Sequence, residues 1–137
     1  MNGKILFLAV CTALLYFSCS DKKIKAPENA METGTTFIRY ILDGEFEDAK
    51  PLLLNDKENN EIFTRYKQYY ERLNSNTKAQ MKRPYNVNKF EELNDSVSIL
   101  NYKNEIMNKP MDIKIIRKNN VWLIDFKYSY SGNLPIY

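Results

Sequence analysis

The sequence predicts an α+β fold, N-terminal helices packed on a curved four-stranded antiparallel sheet. Three observations carry that expectation. Between about residues 27 and 73 apolar side chains recur every three to four positions, the period of helices with one covered face. From Tyr85 onward, short runs rich in β-branched and aromatic residues are separated by Asn and Asp pairs, as in strands joined by turns. The chain has 137 residues, 44% hydrophobic and 13% aromatic, which is enough for one packed domain and too little for two. Helices grouped ahead of strands form segregated layers, unlike the alternation of a parallel sheet.

Residues 1–18 stand apart from the fold. Lys4 supplies a positive start, and Ile5 to Phe17 is a run of thirteen residues, apolar apart from Thr12. A helix needs about 20 such residues to cross a bilayer, so the run has the length of an export signal's core. Hydrophobicity collapses at Ser18-Cys19-Ser20-Asp21. This stretch resembles a lipoprotein signal peptide, in which small residues precede a cysteine that is cut and acylated. Ser18 fits the position before the cut, whereas Tyr16 and Phe17 depart from the usual leucine and small residue. Cutting at Cys11 would leave too short an apolar run. The resemblance therefore implies a signal peptide over 1–18, lipid on Cys19, a polar tether over 19–26 and a domain over 27–137. It also implies a bilayer as partner and the cell envelope, at the outer membrane, as location. Two or three acyl chains hold stably where a single chain is marginal.

Within the domain, Pro27 and Glu28 suit the opening of a first helix. Ala30, Gly34, Phe37, Ile38 and Ile41 form its apolar stripe, and Asp43-Gly44 stops it. Gly34 inside a helix costs about 1 kcal/mol against alanine, so it marks close packing. A short second helix spans Phe46 to Leu54, with Pro51 breaking it near Lys50. A third runs from about Lys57 to Leu73, its stripe being Ile62, Tyr66, Tyr69, Tyr70 and Leu73. The pattern of Lys78 to Arg83 fits neither period. The expected strands are Tyr85–Leu93, Ser96–Tyr102, Met111–Arg117 and Val121–Tyr128, with turns at Asn94-Asp95 and Asn119-Asn120. In the last strand Trp122, Ile124 and Phe126 share the helix-facing side, leaving Leu123, Asp125 and Lys127 on the other.

The opening helix running into Gly44-Glu45-Phe46-Glu47-Asp48-Ala49-Lys50, a strand containing Val97, and Lys118-Asn119-Asn120-Val121-Trp122-Leu123-Ile124-Asp125 together resemble the NTF2-like (cystatin-like) superfamily. Within it, the likeness is to bacterial lipoproteins of the DUF4878 or lumazine-binding-like type. Asn120 stands where those proteins usually carry a hairpin glycine. The resemblance implies a curved sheet wrapped around a long helix, with a cone-shaped cavity between them. It implies no activity, because the fold hosts enzymes, binders and interaction domains alike.

Composition removes much chemistry. The chain has no histidine, so Ser-His and Cys-His nucleophile pairs and His-ligated zinc are excluded. Cys11 and Cys19 are the only cysteines, which leaves no disulfide for the mature domain. Loss of Lys4 with the signal leaves 19 basic against 17 acidic side chains, a net charge of +2, too small to suggest nucleic acid. Neither a cofactor nor a metal is expected. Tyr66, Tyr69, Tyr70, Tyr102 and Trp122 are the candidate pocket-lining residues, able to stack on a ligand, although aromatics at this spacing also simply build core. Asp125 is read as a solvated carboxylate; Asp112 could sit across from it on a neighbouring strand, but nothing in the sequence fixes their separation. Glu45, Glu47 and Asp48 lack the ligand spacing of a calcium loop. The leading expectation is a non-enzymatic envelope lipoprotein binding a small molecule or a protein. The alternatives are an acid–base enzyme using Asp and Tyr in the cone, and a structural or inhibitory cap on another envelope protein.

Overall fold

The structure is a computed structural model that describes residues 26–130. The expected signal peptide, Cys19 and the tether as far as Lys25 lie outside the described residues. Five helices and four strands follow in the order α1 (Ala30–Asp43), α2 (Phe46–Ala49), α3 (Lys57–Arg72), α4 (Ser75–Met81), β1 (Tyr85–Asn94), β2 (Val97–Asn104), β3 (Met111–Lys118), β4 (Val121–Asp125), α5 (Phe126–Tyr130). The strands form one antiparallel open sheet in the order β1-β2-β3-β4. The α+β layout is as the sequence predicts.

Helix α1 begins three residues later than Pro27, because Asn29 caps it. The Asn29 carboxamide oxygen accepts the Glu32 backbone N–H at 2.8 Å, while Glu32 reaches back to the Glu28 N–H at 2.7 Å. One donor of the first turn and the N–H just ahead of the cap are satisfied at once, a variant of the capping box. The helix stops at Gly44, whose φ of 83° is the left-handed conformation open to glycine. A Cβ there would also lie 2.6 Å from the Tyr70 ring. A Cβ on Gly34 already lies 3.0 Å from an Ile115 methyl and 3.1 Å from a Leu100 methyl if alanine is imagined, so α1 rests directly on mid-sheet. After α2, Lys50–Leu52 tightens into a 3-10 turn around Pro51. The ambiguous segment resolves as α4, capped by the Asn74 side chain accepting from Thr77 N–H.

Strand β2 alternates buried and half-buried residues along its length, and β3 does so until its last two residues. Ser98, Leu100 and Tyr102 face Ile115, Ile113 and Met111 on the helix side. With Phe37, Ile38, Ile41, Phe46, Ile62, Phe63, Tyr66, Ile124 and Phe126 they form the core. Asn119 and Asn120 take φ of 50° and 61° and close the β3–β4 hairpin as expected, with Lys118 directly opposite Val121. The β1–β2 turn falls at Asp95-Ser96, one residue beyond the expected pair. There Asn94 keeps its place in the strand, and its side chain accepts the Ser96 N–H at 2.9 Å.

The last strand ends sooner than its composition suggests. It stops at Asp125, and Phe126–Tyr130 is helical. The backbone N–H of Lys127 donates to the Asn59 side chain at 2.8 Å, and the Ser129 hydroxyl donates to the Asp112 carbonyl at 2.6 Å. The Asn59 side chain of α3 and the Asp112 carbonyl of β3 thus take the place of a continued ladder. The Phe126 ring turns into the core, 5.4 Å from Phe37 and 5.7 Å from Tyr66.

Candidate functional site

Two groups of residues could carry function: the tyrosines between α3 and the sheet, and a polar network at the β4 edge. Tyr66 and Tyr70 lie on the buried stripe of α3, Tyr69 is half-buried beside them, and Tyr102 points inward from β2. Their neighbours are largely other rings. Tyr66 meets Phe46 at 6.0 Å, Tyr69 at 6.2 Å and Phe126 at 5.7 Å, and Tyr70 meets Phe46 at 5.3 Å. Most of these contacts are edge-on, the favoured arrangement of packed aromatics.

Tyr102 differs from the others. It is completely buried, 5.6 Å from the Tyr85 ring, and its hydroxyl has no hydrogen-bond partner among the described residues. Burial raises its pKa well above that of an ordinary phenol, with the neighbouring phenols of Tyr66 and Tyr85 adding to the rise. Tyr66 is raised for the same first reason, burial. Both therefore remain neutral hydroxyls, able to donate and accept hydrogen bonds but poor acids. Tyr85 is satisfied, since its hydroxyl donates to the Thr35 carbonyl at 3.0 Å.

Trp122 sits on the helix-facing side, as alternation predicts, but it is only half-buried and packs at the margin of the core. It is the second residue of a five-residue strand, opposite Arg117 near the hairpin turn. The Arg117 guanidinium stacks 5.7 Å from its ring. The ring that meets Tyr66 is Phe126, four residues further on at the start of α5. Of the candidate pocket-lining residues, Trp122 thus stands apart from the tyrosines, at the margin of the core.

Asp125 is not the solvated carboxylate that the sequence predicts. Alternation places it on the side away from Ile124, yet it is 7% exposed, not solvated. The start of α3 closes over that edge. Asn59, fully buried, donates from its amide to Asp125 Oδ1 at 3.1 Å and to Asp56 Oδ2 at 2.9 Å. Lys114 Nζ approaches Asp125 Oδ2 at 3.5 Å, and Lys127 Nζ approaches Oδ1 at 3.4 Å. Lys127 also contacts Asp56 Oδ2 at 3.1 Å. Asp56 caps α3, and the Asn59 backbone N–H, with help from Lys127, holds its pKa down at about 2. Sequence reasoning missed Asn59. The signal was its spacing, which puts a polar residue on the stripe of Ile62, Phe63, Tyr66 and Tyr70.

In this network two carboxylates meet two ammonium groups, and Asn59 uses both ends of its amide. Asp112 faces Asn101, which donates to its carboxylate at 2.6 Å. Glu47 is held by Lys67 at 2.8 Å. Among the described residues no three metal-ligating side chains cluster, and no helix is long and apolar enough to cross a membrane. Comparisons with protein-family models, with curated proteins and with solved structures found no match to this chain.

Proposed function

We propose that this chain is an envelope lipoprotein, held through acylated Cys19, whose domain of NTF2-like type binds a small molecule without transforming it. The observation that carries the binding reading is the buried Tyr102 hydroxyl with no partner among the described residues. A buried polar group left unpaired costs about 1–3 kcal/mol, so such groups mark sites where water or a ligand completes the hydrogen bonding. A ligand with a carbonyl or hydroxyl seated between helices and sheet would supply the partner, with Tyr66 beside it. The non-enzymatic part rests on Asp125, whose carboxylate is committed to Asn59, Lys114 and Lys127. The short apolar run ending at Cys19 supports the anchor, and the pattern of helices followed by a meander supports the fold type.

The test is thermal shift of the protein against neutral compounds bearing carbonyl, amide or hydroxyl groups, run in parallel on Tyr102→Phe. A bound native state melts higher by mass action. Compounds that raise the melting temperature of the parent should lose that effect in Tyr102→Phe. If no compound acts, and Tyr102→Phe is simply more stable than the parent, the hydroxyl is an unfilled defect and the binding reading fails. The anchor is tested apart from this by Cys19→Ala, which should move the protein from the membrane to the soluble fraction.

A further inference from the structure

The two edges of the sheet are treated differently by the chain. Beside β4, Leu53 forms a parallel bridge to Ile124, and the Leu54 N–H donates to the Ile124 carbonyl at 2.9 Å. Beside β1 lies no other described strand. β1 is ten residues long, contains no proline and pairs only with β2. Irregularities in register at Asn88 and Leu93 leave Lys89–Glu92 as a regular extended stretch between them. An edge of this kind presents unpaired N–H and C=O groups in a row.

From this edge we infer a homodimer interface, in which β1 pairs antiparallel with β1 of a second copy, Phe90 opposite Phe90 and Lys89 opposite Glu91. The register follows from faces and charges. Phe90 stands opposite Leu100 and so lies on the helix side, whereas Lys89 and Glu91 stand opposite Asn101 and Ile99 on the far side. Pairing a strand with itself about a two-fold axis must keep each side chain on its own face. Within the regular stretch the axis can then pass through Lys89, Phe90, Glu91 or Glu92. An axis through Lys89, Glu91 or Glu92 sets like charges directly opposite, which is destabilising. An axis through Phe90 sets each Lys89 against the other copy's Glu91 and brings the two half-buried phenyl rings together.

Side chains are already disposed for this. Lys89 and Glu91 form an ion pair along one strand at 2.5 Å, with side chains 66% and 47% exposed. Two such pairs facing each other make an alternating square of charge. Val87, on the helix side with Phe90 and 41% exposed, borders the joined rings. Dimer formation of this type is isologous and closed, so it stops at two copies. It does not depend on what the interior binds.

The experiment uses the full chain in mild detergent, followed by sedimentation over a concentration series. The parent should show a reversible monomer–dimer equilibrium. Lys89→Glu alone and Glu91→Lys alone should each weaken dimerisation at least tenfold, by placing like charges in register. An equimolar mixture of those two variants should form dimers again, because the acidic edge of one meets the basic edge of the other. Phe90→Cys should give a covalent dimer on a non-reducing gel, which reports the register even if a charge variant folds poorly. A parent that stays monomeric throughout, with no Phe90→Cys dimer, overturns the proposal. So does a dimer indifferent to both charge variants, which would lie on another surface.

Discussion

Both outer strands of the sheet are edges, yet they have opposite fates. β4 ends in the buried pair Ile124 and Asp125, while eight of the ten residues of β1 are exposed. Around β4 the chain supplies a cover: Leu53 and Leu54 beside it, α5 after it, and the start of α3 over Asp125. Around β1 it supplies charges and irregularities of register instead. Covering an edge removes water, and every polar group beneath the cover must then find a protein partner. Asp125 has three such partners. An uncovered edge keeps water as its partner, so its side chains are chosen to prevent indiscriminate pairing or to select one partner.

The largest effect should come from the covered side. Phe126→Ala removes a fully buried ring that touches Phe37, Phe63 and Tyr66, and should cost about 3–5 kcal/mol in urea unfolding. A cost below about 1 kcal/mol would mean that α5 is not a fixed part of the core. Next is Asn59→Ala, which strips Asp125 and the Lys127 N–H of hydrogen bonds in a dry place. We expect a loss of about 1–3 kcal/mol, and faster amide exchange at Lys127 than at Ile115.

A smaller effect concerns acid. The Asp56 pKa is held at about 2 in the folded state, below its ordinary value in an unfolded chain. Its contribution is therefore present above about pH 4 and is lost as pH falls towards 2, because the unfolded state takes up the proton first. Asp56→Asn should flatten that part of the stability profile measured by urea titration at successive pH values. The exposed half of the edge comparison should respond least. Leu93→Thr, at a side chain 54% exposed, should change the stability of the monomer, measured at concentrations too low for pairing, by no more than about 0.5 kcal/mol. A loss of about 2 kcal/mol there would show that the chain itself covers β1.

Much of this comparison is legible in the sequence, and the exceptions have physical causes. Gly44 stops α1, Pro51 breaks the second helix and Asn119-Asn120 turns the last hairpin, because each depends on local backbone sterics. The capping pattern Asn29-x-x-Glu32 was equally local and outranks Pro27 as the start of α1, since two side-chain hydrogen bonds decide it. Among the candidate pocket residues, Tyr66 and Tyr70 are buried as their periodicity implies, and Tyr102 is buried from β2. Trp122 is only half-buried because the strand offers it Arg117 at the sheet margin, a matter of register rather than of period.

By itself, then, the sequence determined most of the layering: α1, the short second helix, α3 and the four strands, with the apolar stripe of α1 and α3, but neither α4 nor the turn into α5. Those properties follow from backbone sterics and from side-chain spacing within a few residues. Tertiary structure decided what lies over each face. Asp125 points away from the core side, as alternation requires; its burial comes with Asn59, 66 residues away in sequence, and with Lys114 and Lys127. Phe126 and Lys127 leave the strand because distant rings and the Asn59 amide offer more than another rung of ladder would. Burial is a property of two surfaces meeting, and only the folded chain brings the second surface.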